Sequence, residues 1–150
     1  MGIVRLIDLF AVTCRLKINY QQMRAIDDDL IYRDECYQIV GCCMEVHKRL
    51  GCGFKEAVYQ EALEMEFVDN ALNFEREKRL KIQYKGIFLK KEYSPDFVCF
   101  GKIVLELKAA SELTDIHQAQ LFNYLKASKL RLGLLVNFGT TSLQFTRFIL

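Results

Sequence analysis

The chain has 150 residues, 51% apolar and 27% charged, with a formal charge of +2. That length suits one domain with a single large core rather than two, and so small a net charge does not by itself imply a nucleic-acid partner. One proline and no low-complexity tract leave no sign of a linker, and the uncharged stretch 9–14 is far too short to cross a membrane.

Residues 1–30 carry a mixed pattern and are expected to be an N-terminal extension, either an extra element or a poorly ordered arm. A first helix is expected from about Asp34, as its N-cap, to Leu50. Cys36, Ile39, Val40, Cys43, Met44 and His47 lie on its apolar side, and Gly51 and Gly53 stop it. Phe54 then opens a second helix to about Asn70. Ala57, Val58, Ala62, Met65 and Val68 mark one side of it. Glu56, Tyr59, Leu63 and Phe67 form a second stripe that puts a carboxylate among apolar neighbours, where glutamate is rare.

From Phe74 the period changes to that of strands, at about 75–83, 86–91, 96–100 and 103–108, with turns at Lys85-Gly86 and Phe100-Gly101-Lys102. Between Glu75 and Glu92, seven basic residues stand against three acidic ones, a run that is either a solvated face or a track for phosphates. A helix is expected from about Thr114 to Lys126, with His117 read first as a capping or solvent-facing residue. Strands 132–136 and 143–148 close the chain. The order describes an α/β domain with one mixed sheet flanked by helices.

The six cysteines form no CxxC pair. With no secretory signal ahead of them, they are expected to be mostly buried free thiols in a reducing cytoplasm, which places the protein there. A zinc site from Cys43, His47 and Cys52 lacks an obvious fourth ligand.

The chemistry concentrates at Ser94-Pro95-Asp96 and Glu106-Leu107-Lys108. Residues two apart in a strand share a face, so Glu106 and Lys108 point together while Leu107 points away. The flanking runs 97–100 and 103–105 are apolar enough to lie inside a sheet. An ionised group there is costly unless it is paired or binds a metal. Register decides whether Asp96 joins them. A two-residue loop would pair Asp96 with Leu107 and turn it to the wrong face, whereas a three-residue loop with a glycine bulge pairs it with Glu106. Pro95, which cannot donate to a ladder, belongs just before the strand. Two acids and an amine so placed suggest a divalent-cation site acting on phosphates; the plain alternative is a structural ion pair.

Gly53 through Tyr59, Ser94-Pro95-Asp96-Phe97, Glu106-Leu107-Lys108-Ala109, the run Gln120 to Leu125 and the run Gly133 to Gly139 together resemble the GxxExxY family of the PD-(D/E)XK nuclease-like superfamily, over roughly residues 30–150. The resemblance implies a restriction-endonuclease-like core over residues 31–150 and hydrolysis of phosphodiesters with Mg²⁺ or Mn²⁺. It implies that Asp96 and Glu106, with the Leu107 carbonyl, bind the metal, and that Glu56 completes the shell. Lys108 would orient water and stabilise charge rather than abstract a proton, and Gln120 and Tyr124 would support the site and contact substrate. The implied partner is nucleic acid, DNA ahead of RNA. A homodimer or protein partner is compatible and no membrane is involved. The alternative is a noncatalytic nucleic-acid-binding or protein-interaction module that retains the fold.

Overall fold

The computed structural model describes residues 31–150, so the expectations for the N-terminal extension lie outside the described residues. Two helices open the fold, α1 (Arg33–Leu50) and α2 (Glu56–Asp69). Strands β1 (Phe74–Arg76), β2 (Leu80–Tyr84), β3 (Ile87–Tyr93), β4 (Phe97–Cys99) and β5 (Ile103–Lys108) follow. Helix α3 (Asp115–Ser128) then leads to β6 (Leu132–Asn137) and β7 (Gln144–Ile149). Five strands form the main sheet in the order β1-β4-β5-β6-β7, parallel only between β5 and β6, while β2 and β3 make a separate hairpin. This is the expected mixed sheet flanked by helices.

Strand β5 is the axis of the fold because its residues are buried on both faces, as a strand paired on both edges and covered on both sides must be. Phe97 pairs with Leu105 and packs edge-on against Phe67 at 5.2 Å, which puts α2 on that face. Phe74 joins the same aromatic cluster, 5.4 Å from Phe67 and 5.7 Å from Phe97; each such pair contributes ~0.5–1.5 kcal/mol beyond its buried area. On the opposite face Val104 and Leu135 pack against Leu121, Tyr124 and Leu125 of α3. Gly133 lets α3 come this close, since a Cβ there would meet Leu121 Cδ1 at 2.8 Å.

The turn between β4 and β5 resolves the register question. Cys99 pairs with Ile103, leaving Phe100, Gly101 and Lys102 as a three-residue loop with φ of 56° at Phe100 and 65° at Gly101. Continued one step past the Phe97–Leu105 pair, this register sets Asp96 opposite Glu106, the arrangement that brings the charged groups to one face.

Two expectations need correction. The stretch 75–83 is not one strand, because Glu77 adopts φ of 49° and the chain bends between β1 and β2. Helix α2 begins at Glu56 rather than Phe54, and it buries only one of its two apolar stripes. Tyr59, Leu63 and Phe67 are fully buried, whereas Val58, Met65 and Val68 are exposed. The buried stripe carries the aromatic rings and therefore removes more apolar area from water.

Candidate active site

Glu106 and Lys108 project from one face of β5, and both side chains are nearly inaccessible to solvent. Lys108 Nζ donates to Glu106 Oε1 at 2.8 Å. Asp96, half-buried at the entrance to β4, accepts the Leu107 N–H on Oδ2 at 2.7 Å and the Gln60 amide on Oδ1 at 3.1 Å. The structure thus joins Asp96, Glu106 and Lys108 around one backbone step, with the Leu107 side chain buried on the other face.

The charges do not balance. Two carboxylates face one ammonium, and Glu106 Oε2 is buried with no hydrogen-bond partner. Burial first, and then the charge of Asp96, push the Glu106 carboxyl up to about 7, against the pull of Lys108. Burial also raises Asp96, reinforced by Glu56 and Glu77 and opposed by the Leu107 N–H and Lys108. An unpartnered, buried carboxylate oxygen beside a second carboxylate is the donor set that suits a hard divalent cation.

The remaining expected residues stand at different distances from this centre. Tyr124 is buried, accepts the Gln120 amide on its hydroxyl at 3.2 Å, and stacks on Tyr93 at 4.3 Å. Its hydroxyl is shifted upward, chiefly by burial and next by the Glu106 charge, so the Gln120–Tyr124 pair borders the carboxylates. Glu56 is different. It is exposed in the first turn of α2, where a carboxylate suits the helix dipole, and it influences Asp96 through its charge. The expectation that it lies among apolar neighbours is therefore corrected. Among the described residues no three His, Cys, Asp or Glu side chains come together as a ready-made metal cage.

Residues around Glu56 explain the glycine and tyrosine of its motif. Gly53 has φ of 111°, a conformation that excludes side chains. The Tyr59 hydroxyl donates to the Gly51 carbonyl at 2.8 Å and accepts the Phe54 N–H at 3.2 Å, so the loop that launches α2 is closed on its own helix.

Sequence reasoning missed the residues that hold the site in place. Gln60, buried one turn after Glu56, binds Asp96, reaches Glu77 at 3.4 Å, and accepts Arg76 on its own oxygen at 3.0 Å. Its spacing of four from Glu56 was the available signal. Asn137, which the sequence singled out only within the Gly133 to Gly139 run and with no role, is fully buried and clamps the exit of β5. Its Oδ1 accepts the N–H groups of Ala110 and Gly139, each at 3.0 Å, and its amide donates to the Ala110 carbonyl at 2.9 Å. Gly139 is required there, because a Cβ would lie 2.3 Å from the Ala110 oxygen.

His117 caps α3, accepting the Thr114 N–H on Nδ1 at 3.2 Å within a capping box. The zinc alternative finds no support in position. Cys43 is fully buried with its thiol pushed well up by burial, Cys52 is exposed, and His47 Nε2 is hydrogen-bonded to the Thr140 carbonyl at 2.9 Å.

A mixed sheet that carries two carboxylates and a lysine across adjoining strands, with helices on both faces, defines a restriction-endonuclease-like domain. The profile of the PD-(D/E)XK nuclease superfamily matches residues 33–148, and the chain belongs to that superfamily. Among solved structures it is similar to the crystal structure of SSO0001, with 23% identity and a TM-score of 0.51. That match covers 63% of this chain and 50% of that one, so the chain spans about half of SSO0001's length. An alkaline exonuclease, LHK-Exo from Laribacter hongkongensis, aligns with 10% identity and a TM-score of 0.48, over 81% of this chain and 71% of that chain. No curated protein matches the chain. No helix among the described residues is long and apolar enough to cross a membrane.

Proposed function

We propose that the chain is a metal-dependent phosphodiesterase of the GxxExxY branch of the superfamily, cutting nucleic acid, DNA in preference to RNA. The observation that carries this reading is the surplus buried negative charge, with Glu106 Oε2 unpartnered beside Asp96. Asp96 and Glu106 would hold Mg²⁺ or Mn²⁺, with the Leu107 carbonyl and Glu56 completing the shell, the latter directly or through water. When bound, the ion supplies neutralisation of phosphate charge and an acidified water.

The protein's own groups do the rest. Lys108, fixed at 2.8 Å from Glu106, presents a positive charge where the attacked phosphate accumulates negative charge. Gln60 and the Leu107 N–H each occupy one of the two Asp96 oxygens, so the carboxylate is held in one orientation before substrate arrives. Tyr124 keeps its proton, because burial raises its pKa, and its hydroxyl and the Gln120 amide offer donors beside the carboxylates.

The test is product formation by wild-type and Glu106→Ala protein on labelled single- and double-stranded DNA and RNA, with Mg²⁺, Mn²⁺ or chelator. Cleavage by wild type alone, lost on chelation, is expected; activity that persists in the purified variant rejects the assignment. The exposed position of Glu56 favours a second reading, a noncatalytic binding module. Salt-sensitive binding with no metal-dependent product would decide for it.

A further inference from the structure

The β2–β3 hairpin stands outside the main sheet, and its surface is unusual for a soluble domain. Tyr84, Ile87 and Phe88 near its tip are 61%, 71% and 61% exposed, and Leu89 is 43% exposed. Between Leu80 and Tyr93 lie four lysines, Lys81, Lys85, Lys90 and Lys91, against one glutamate, Glu92. Glu92 is engaged by Arg79 at 3.4 Å, whereas none of the four lysines makes an ion pair among the described residues. Two of them lie over the exposed rings, Lys81 Nζ 6.0 Å from the Phe88 centroid and Lys85 Nζ 5.5 Å from that of Tyr84.

The base of the hairpin is fixed beside the candidate site. Leu80 pairs with Tyr93 and belongs to the core cluster that includes Tyr124, while Tyr93 stacks on Tyr124 and lies three residues before Asp96. At ~3.3 Å per residue, β3 carries the chain about 20 Å outward from this anchor to the tip. One end of the ribbon therefore touches the residues that border the carboxylates, and the other presents aromatic rings and cations to solvent.

We infer that this hairpin is a binding arm for unpaired nucleic acid, with bases stacking on Phe88, which shares a face of the ribbon with Lys81 and Lys90, and around the tip on Tyr84 of the opposite face, and with phosphates following the lysines toward Asp96 and Glu106. The inference deepens the proposed nuclease reading and rests on it for the identity of the substrate. Charge decides the occupant. An exposed edge strand invites pairing with another sheet, but lysines along that edge oppose a second copy carrying the same four charges. They attract a polyanion instead, and interleaved rings and cations are the recognition chemistry of single strands. A duplex keeps its base faces stacked inside and can use only the lysines.

The test uses the full chain in chelator, so that nothing is cut, with fluorescein-labelled oligothymidylate of about 20 nucleotides and a blunt duplex as probes in fluorescence anisotropy. Tyr84→Ala/Phe88→Ala is expected to weaken oligothymidylate binding by at least about thirtyfold and duplex binding far less. Lys85→Glu/Lys90→Glu is expected to lower the salt dependence of single-strand binding by more than one unit of log–log slope. The substituted rings are exposed, and circular dichroism checks that the variants fold. Wild-type-like binding of oligothymidylate by both variants overturns the inference. So does a wild type that does not bind it; hydrolysis of bis(p-nitrophenyl) phosphate with Mn²⁺, a substrate too small to reach the hairpin tip, then shows separately whether the nuclease reading survives. Conversion of a wild-type dimer to a monomer by the aromatic variant, with binding intact, also overturns it by making the hairpin a self-association surface.

Discussion

The unbalanced charge at Glu106 makes a prediction about stability that is independent of any cleavage assay. Burial and Asp96 raise this carboxyl from an ordinary 4.5 to about 7. The folded value lies above the unfolded one, so the native state holds the proton more tightly. Stability of the metal-free protein therefore falls as pH rises from about 4.5 to about 7 and is flat above that. The shift amounts to roughly 3 kcal/mol of cost, fully present by about pH 8. Glu106→Gln removes the charge while keeping an oxygen for Lys108. In chelator the variant should match wild type near pH 4.5 and exceed it by up to about 3 kcal/mol at pH 8, roughly 10 °C in melting temperature for a domain of this size.

Thermal and urea unfolding of both proteins between pH 4.5 and 8.5 measures this difference. Adding Mn²⁺ at pH 8 should raise the wild-type melting temperature and leave the variant nearly unmoved, since a ligand stabilises only the state that binds it. A variant less stable than wild type at pH 8 in chelator would refute the reasoning, as would a stability difference that does not change with pH. Either result would mean that Lys108 fully compensates Glu106 and that the buried charges are a structural ion pair.

Two further substitutions probe the supports of the site. Gln60→Ala removes a buried hydrogen bond from Asp96 Oδ1; it should cost about 1–2 kcal/mol in urea unfolding and lower kcat tenfold or more with little change in KM, because it disturbs orientation rather than substrate binding. Gly139→Ala forces a Cβ to within 2.3 Å of the Ala110 oxygen and 2.4 Å of its nitrogen; thermal unfolding should register a loss of about 3 kcal/mol, and metal-dependent cleavage should fall with it as the exit of β5 shifts.

Much of the site could be read before the structure because burial and charge constrain register. If Asp96 is to share a face with Glu106 and Lys108, the loop must hold three residues, and the Cys99–Ile103 pair shows that it does. The limits of β5 were legible for the same reason, since a continuous apolar run inside a sheet has polar ends. The α2 face was ambiguous because both stripes are apolar; only the bulk of Tyr59 and Phe67 against Ala57 and Val58 separates them. The break at Glu77 carries no glycine to announce it. The Gln60–Asp96 and Asn137–Ala110 bonds join residues 36 and 27 apart in sequence, and polar pairs at such separations leave no periodic trace.

The separated motifs also form one mechanical unit, and this yields a last prediction. The Phe138 N–H donates to the Lys108 carbonyl at 2.8 Å. The Phe138 ring stacks on Tyr59 at 4.6 Å, with the rings 18° from parallel. Tyr59 in turn holds the Gly51–Phe54 loop that leads into α2, whose first residue is Glu56. A continuous path of contacts thus runs from the lysine at the end of β5 to the carboxylate at the start of α2, through a residue that touches neither charge. Phe138→Leu keeps the backbone hydrogen bond and much of the volume but removes the stack. It should cost about 1–2 kcal/mol, from the lost ring pair and imperfect filling of a fully buried position. If the stack positions Glu56 relative to Lys108, metal-dependent turnover should fall by more than the unfolded fraction accounts for, and adding Glu56→Gln should cause little further loss. Independent, fully additive effects of the two substitutions would show that Tyr59 and Phe138 serve stability alone.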